Sequence, residues 1–187
     1  NISIPDSVTT IQANSFMGCT SLSSVEIGKG VTDIGGGAFE ECTSLVSVDI
    51  PDNVEFLGQL SFRDCINLSS VTIGNNVSNI EASTFSGCTS LTNVTIGVSV
   101  SDIKGHAFEN CTSLALIDIP HNVNSIWNYA FRNCSKLTSV RIPATTEVDS
   151  KAFGEGDAFE ACENDFIYPP QGLTICNCIP LNTSCFD

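Results

Sequence analysis

Apolar residues return along this chain with a period of 23. Phe16, Phe39, Phe62, Phe85, Phe108 and Phe131 are evenly spaced, and a cysteine follows each by three (Cys19, Cys42, Cys65, Cys88, Cys111 and Cys134). A leucine stands three further on, from Leu22 to Leu137, and opens the segment L-x-x-V-x-I, as in Leu45–Ile50. Inward apolar and outward polar positions alternate there, which predicts a half-buried strand. Gly or Pro closes each segment: Pro5, Gly28, Pro51, Gly74, Gly97, Pro120 and Pro143. Proline has no N–H for a strand ladder, so the chain turns at these points. A second apolar pair, such as Val77 and Ile80, predicts a short extended segment on the opposite wall. The A/S-F-x-x-C corner predicts a tight or 3₁₀ turn.

A unit of 23 residues with one short strand cannot bury its own apolar face, whereas stacked units share a continuous core. The pattern therefore predicts a mainly β solenoid with parallel sheets, about eight turns rising ~4.8 Å each. The repeat occupies residues 1–168, with a partial first turn and an irregular last one. "NISIP" aligns with a repeat strand, so further turns upstream or a cover over this edge are expected. Phe153 follows Phe131 by 22 rather than 23, and Phe159 with Cys162 offers a second corner. "DFIYP" (165–169) reads as a last strand and residues 169–187 as a C-terminal cap.

The L-x-x-V-x-I strand resembles the L-x-x-L-x-L of leucine-rich repeats. With its I-x-x-x-A-F-x-x-C-x-S-L frame, as in Ile103–Leu114, the unit resembles the BspA-like subclass over about residues 1–162. That resemblance implies a right-handed, curved solenoid with a concave parallel sheet and short extended or 3₁₀ segments on the convex side. It also implies adhesion or protein binding at cell surfaces.

Charge narrows the partners. Twenty-one acidic residues face seven basic ones, a net charge of −14. Such a chain repels nucleic acid and anionic lipid and suits basic partners. No run approaches the ~20 apolar residues that span a bilayer, so no direct membrane insertion is expected. Ten cysteines and seven N-x-S/T sequons point to an oxidising route, at the cell exterior or in an organelle lumen. Asn67, Asn76, Asn93 and Asn182 are the glycosylation candidates; the sequons at Asn110 and Asn133 arise from the repeat itself.

The six ladder cysteines fall at one inward position in successive turns. Their Cβ atoms would lie about 4.8 Å apart with parallel side chains, whereas a disulfide wants ~3.5–4.5 Å and a crossed torsion. They read as buried free thiols, and a straight ladder cannot surround a metal tetrahedrally. Cys162, Cys176, Cys178 and Cys185 break the period and read as two disulfides of the cap, with three pairings open. A four-cysteine zinc site is the alternative, weakened by the missing two-residue gap. Glu155, Asp157, Glu160, Glu163 and Asp165 lack ordered calcium-loop spacing and read as a solvated acidic loop. His121 replaces the acid of a "PD" turn and reads as a surface residue. No catalytic set, cofactor motif or metal site emerges.

The outward strand positions remain. One slot carries Ser24, Ser47, Ser70, Asn93 and Leu116; the next carries Glu26, Asp49, Thr72, Thr95, Asp118 and Arg141. On the concave face these form two ladders of mostly short polar groups, the expected site for a protein or glycan partner. Solvated strand residues chosen for β propensity would look the same. The competing function is a structural subunit that docks into a larger assembly by its ends or flanks.

Overall fold

The computed structural model describes residues 1–154, together with the backbone of two strands, Phe166–Ile167 and Thr174–Cys178. Each turn contributes one strand to each of two walls. The strand wall, the concave one of the predicted solenoid, is built from Ile2–Ser3, Val25–Glu26, Ser47–Ile50, Ser70–Ile73, Asn93–Thr95, Leu116–Asp118 and Ser139–Pro143. The second wall is built from Thr10–Ile11, Asp33–Ile34, Phe56–Leu57, Asn79–Ile80, Asp102–Ile103, Ser125–Ile126 and Glu147–Val148. Neighbours pair in parallel and in the register of the repeat, for example Val48 with Val71 and Ile103 with Ile126. No helix occurs among the described residues. The strand Thr174–Cys178 continues the strand wall beside Ser139–Pro143, and Phe166–Ile167 lies antiparallel on its far side.

At each corner successive i+3→i hydrogen bonds bend the chain: Ala38 N–H to Gly35 C=O, Cys42 N–H to Phe39 C=O and Leu45 N–H to Cys42 C=O. They remain separate tight turns. At the six corners from Phe16 to Phe131 two residues lie in the left-handed region, one two places before the phenylalanine and one two places after it. In the second turn these are Gly37 (φ 63°) and Glu41 (φ 58°); in the fifth, His106 and Asn110 (both φ 62°). A left-handed residue at every fourth position interrupts any 3₁₀ progression.

Between the walls runs a column of seven phenylalanines. Phe16, Phe39, Phe62, Phe85, Phe108, Phe131 and Phe153 stack with centroids 5.1–5.6 Å apart and planes within 15° of parallel. Phe153 keeps its place despite the 22-residue spacing. The missing residue falls between the walls, where Thr145–Glu147 replaces a longer arc and Glu147 pairs with Ser125.

Beside the rings stand the thiols. Cys42, Cys65, Cys88, Cys111 and Cys134 are buried and free, and each donates its S–H to the phenylalanine carbonyl of the preceding turn at 3.1–3.3 Å. They are therefore more than spacers: each thiol bridges two turns. Burial pushes Cys65 and Cys134 up to about 12 and raises Cys88 and Cys111 strongly. Cys19 departs from the expectation that all six point inward, because it is exposed. Its five counterparts are each covered by a Phe–Cys corner one turn earlier in the chain.

Turns approach closely where glycine ends a strand. A Cβ on Gly97 would lie 2.1 Å from the Gly74 carbonyl oxygen, a contact no rotamer relieves because both partners are backbone. Gly97→Ala is expected to cost about 1–3 kcal/mol, the usual range for an overpacked site. Urea unfolding followed by circular dichroism measures it as a lowered midpoint at unchanged slope.

Candidate binding surfaces

The strand wall carries its outward residues in register. Ser47, Ser70 and Asn93 are consecutive partners, as are Asp49, Thr72 and Thr95, and Ser24 bridges to Ser47. Further along, Leu116 pairs with Ser139 and Asp118 with Arg141. The alternation sends Val48, Ile50, Val71 and Ile73 into the core, leaving Ser47, Asp49 and Thr72 exposed. Ser70 is the half-buried member of the nominated set; Ser24, Glu26, Asn93, Thr95, Leu116, Asp118 and Arg141 are exposed.

Few of these groups are used internally. Ser3 Oγ donates to Glu26 Oε2 at 3.0 Å, and Arg141 meets Asp118 at 3.7 Å in an exposed pair. Glu26, Asp49 and Asp118 oppose Arg141 alone, so the wall carries an acidic surplus. Leu116 is half exposed and interrupts the polar ladder with an apolar step. Such a surface offers short hydrogen-bonding groups, carboxylates and one greasy foothold, with nothing arranged to activate a nucleophile.

A second group of side chains lies beyond the second wall. Asp102 accepts hydrogen bonds from Ser101 (2.9 Å) and Ser125, and Lys104 lies 3.6 Å away. Partial burial pushes the Asp102 carboxyl up, but these hydrogen bonds and the Lys104 ammonium outweigh it and hold it below its ordinary value. Trp127 donates its indole N–H to Ser125 Oγ at 2.9 Å, with Lys104 Nζ 4.3 Å from the ring centroid. Next to it His106 and Tyr129 share one left-handed slot in successive turns, their rings 5.2 Å apart. His106 meets Glu109 at 2.8 Å, and Glu109 meets Arg132 at 3.6 Å.

Comparison with known proteins settles the family. The model of the BspA-type leucine-rich repeat region matches in six copies over residues 1–114 and 56–174. The chain belongs to the BspA-type leucine-rich repeat family. A leucine-rich repeat protein from Eubacterium ventriosum ATCC 27560 superposes with a TM-score of 0.78 at 29% identity, over 81% of this chain and 41% of that one. A leucine-rich cell surface protein from Faecalibacterium prausnitzii A2-165 gives 0.56 at 27% identity, over 81% and 57%. A leucine-rich repeat protein from Bacteroides ovatus ATCC 8483 shares the fold, with a TM-score of 0.70 at 24% identity over 79% and 44%. The chain thus spans roughly two to three fifths of these relatives' lengths. No curated protein matches it.

The BspA-type repeat accounts for the strand wall, whose outward slots follow directly from its alternation. It does not account for the group around Trp127. The available signal was rarity: the chain's single tryptophan and one of its two histidines fall in slots that carry no fixed residue type from turn to turn. Of the sequon residues, Asn67 donates its side-chain amide to Thr43 C=O, Asn76 is exposed in a turn, and Asn93 lies on the strand wall. Asn182, Cys162, Cys185 and the acidic loop at Glu155–Asp165 lie outside the described residues, and only the backbone of Cys176 and Cys178 is described. His121 is exposed in its turn. Among the described residues no group of three or more His, Cys, Asp or Glu could hold a metal ion. Nor is any helix among them long and apolar enough to cross a membrane.

Proposed function

We propose that this chain is a non-enzymatic interaction module that binds a protein through its strand wall, at the cell surface or outside the cell. The observation that carries the reading is the pair of in-register outward ladders, exposed and largely unspent on internal contacts. The acidic surplus of the wall and the net charge of −14 favour a partner with a basic segment. A glycan would find the same Ser, Thr and Asn groups but no aromatic platform on this wall. Family membership supports interaction as the general role, and repeat scaffolds of this kind bind rather than catalyse.

The test is a triple variant, Asp49→Asn with Thr72→Ala and Asp118→Asn, made at exposed positions so that folding is preserved. The wild-type chain is used to capture partners from the surface proteins of cells that live with its source. The captured protein is then identified, purified and titrated by calorimetry. Its affinity is expected to fall at least tenfold for the triple variant and to weaken with salt. A partner that binds the variant with full affinity removes the strand wall from the account.

A further inference from the structure

Trp127 is 47% exposed, although nothing in the stack needs it there. The same slot holds Gln12, Gly35, Gly58, Glu81, Lys104 and Asp149 in the other turns, so the fold accepts glycine or a polar residue there and requires no aromatic ring. The indole is nevertheless held firmly. Its N–H is bound to Ser125, and Lys104 from the turn before lies over one face. In the stacking order the turn after Trp127 contributes Glu147 and Asp149, on the side away from Lys104. There the surface dips into a shallow depression of about 280 Å³ lined by Ser125, Trp127, Asn128, Glu147 and Asp149 with the backbone around them. Both carboxylates are exposed. Asp149 accepts from the Lys151 N–H at 2.8 Å, and the Glu147 carboxylate makes no hydrogen bond or ion pair among the described residues.

We propose that this depression is a binding site for an arginine side chain of a basic partner, distinct from the strand wall. A guanidinium is planar and weakly hydrated, so it stacks on an indole while its N–H groups reach carboxylates beside the ring. Trp127 supplies the platform, and Glu147 and Asp149 supply the acceptors. Lys104 shows that a cation already occupies the other face of this ring. Ser125 holds the indole in plane, so the platform is formed before the ligand arrives. Such a site anchors one residue of a partner; a single arginine in a short peptide is expected to bind with a dissociation constant on the order of 1–10 mM.

Because Trp127 is the chain's single tryptophan, its emission reports on this site alone. Acetyl-Gly-Arg-Gly-amide is titrated into the full chain, with acetyl-Gly-Gln-Gly-amide as the uncharged control. The arginine peptide is expected to give a saturable change in emission and the glutamine peptide none. Glu147→Gln with Asp149→Asn is expected to weaken the response at least tenfold, with the thermal transition unchanged. Asp49→Asn with Asp118→Asn on the strand wall is expected to leave the response intact, which keeps this outcome separate from that of the docking face. An equal response in the Glu147→Gln, Asp149→Asn variant, or to the glutamine peptide, overturns the proposal. So does silence up to 50 mM, or a saturable response to cellotetraose where the arginine peptide gives none, which reassigns the depression to carbohydrate.

Discussion

Raising the pH from 9 to 11 is expected to unfold this protein cooperatively. The cause is the column of thiols. In the unfolded chain a cysteine titrates near 9, whereas burial holds Cys65 and Cys134 protonated up to about 12 and Cys88 and Cys111 well above their ordinary value. A group whose native value is raised gives its full stabilisation below the unfolded value, and loses it as pH climbs toward the native one. Between about 9 and 12 each such thiol lowers the unfolding free energy by ~1.4 kcal/mol per pH unit. Cys42, raised to about 11, joins the same loss, so five thiols of one column act together and their combined effect over about pH 9–11 rivals the whole stability of a typical domain. Urea titrations at half-unit intervals from pH 7 to 11 measure the slope. Replacing Cys88 by alanine is expected to lower stability at pH 7, yet to flatten the slope above pH 9 by the share of one thiol. A slope that Cys88→Ala leaves unchanged would show that the buried thiols do not drive the transition.

Truncating the aromatic column is expected to do comparable damage at neutral pH. Phe85→Ala removes a fully buried ring stacked on Phe62 at 5.6 Å and on Phe108 at 5.4 Å. A Phe→Ala change in a closed core costs about 3–5 kcal/mol, because the cavity adds to the lost transfer energy. The walls cannot collapse into this space, since each turn is fixed to its neighbours by hydrogen bonds at the corner, such as Phe85 N–H to Ala107 C=O at 2.8 Å. Phe16→Ala is the matched control. Its ring is half-buried and stacks on one neighbour, Phe39, so a loss well under half as large is expected. Denaturant unfolding of the two variants side by side tests the difference, and equal losses would remove the column as the keystone of the core.

The two walls were legible in the sequence because their period is shared. Any residue whose role repeats every 23 positions announces itself, which is why the pattern alone assigns Leu45, Val48 and Ile50 inward. What repeats in conformation but not in residue type stayed hidden. The left-handed slots hold Gly37, Leu60, His106 and Tyr129 alike, so no composition signal marks them. Cys19 shares its motif with five buried cysteines yet is exposed, a difference that periodicity cannot express. The outward ladders were equally legible as geometry, since alternation fixes which side chains leave the core. Trp127, Glu147 and Asp149 were not, because their proximity depends on stacking order and each is an exception to the repeat.

The uniform register has a kinetic consequence. From Ile2 to Val148 every strand pairing joins residues 22 or 23 apart, so closing any two adjacent turns there costs nearly the same loop entropy. No single segment is then privileged as a nucleus, and ordering can begin at any adjacent pair and spread outward. Contacts this local favour rapid growth of structure once the first pair has closed. Loss of order follows the reverse route, and a turn with a neighbour on both sides opens only after one of those neighbours has let go.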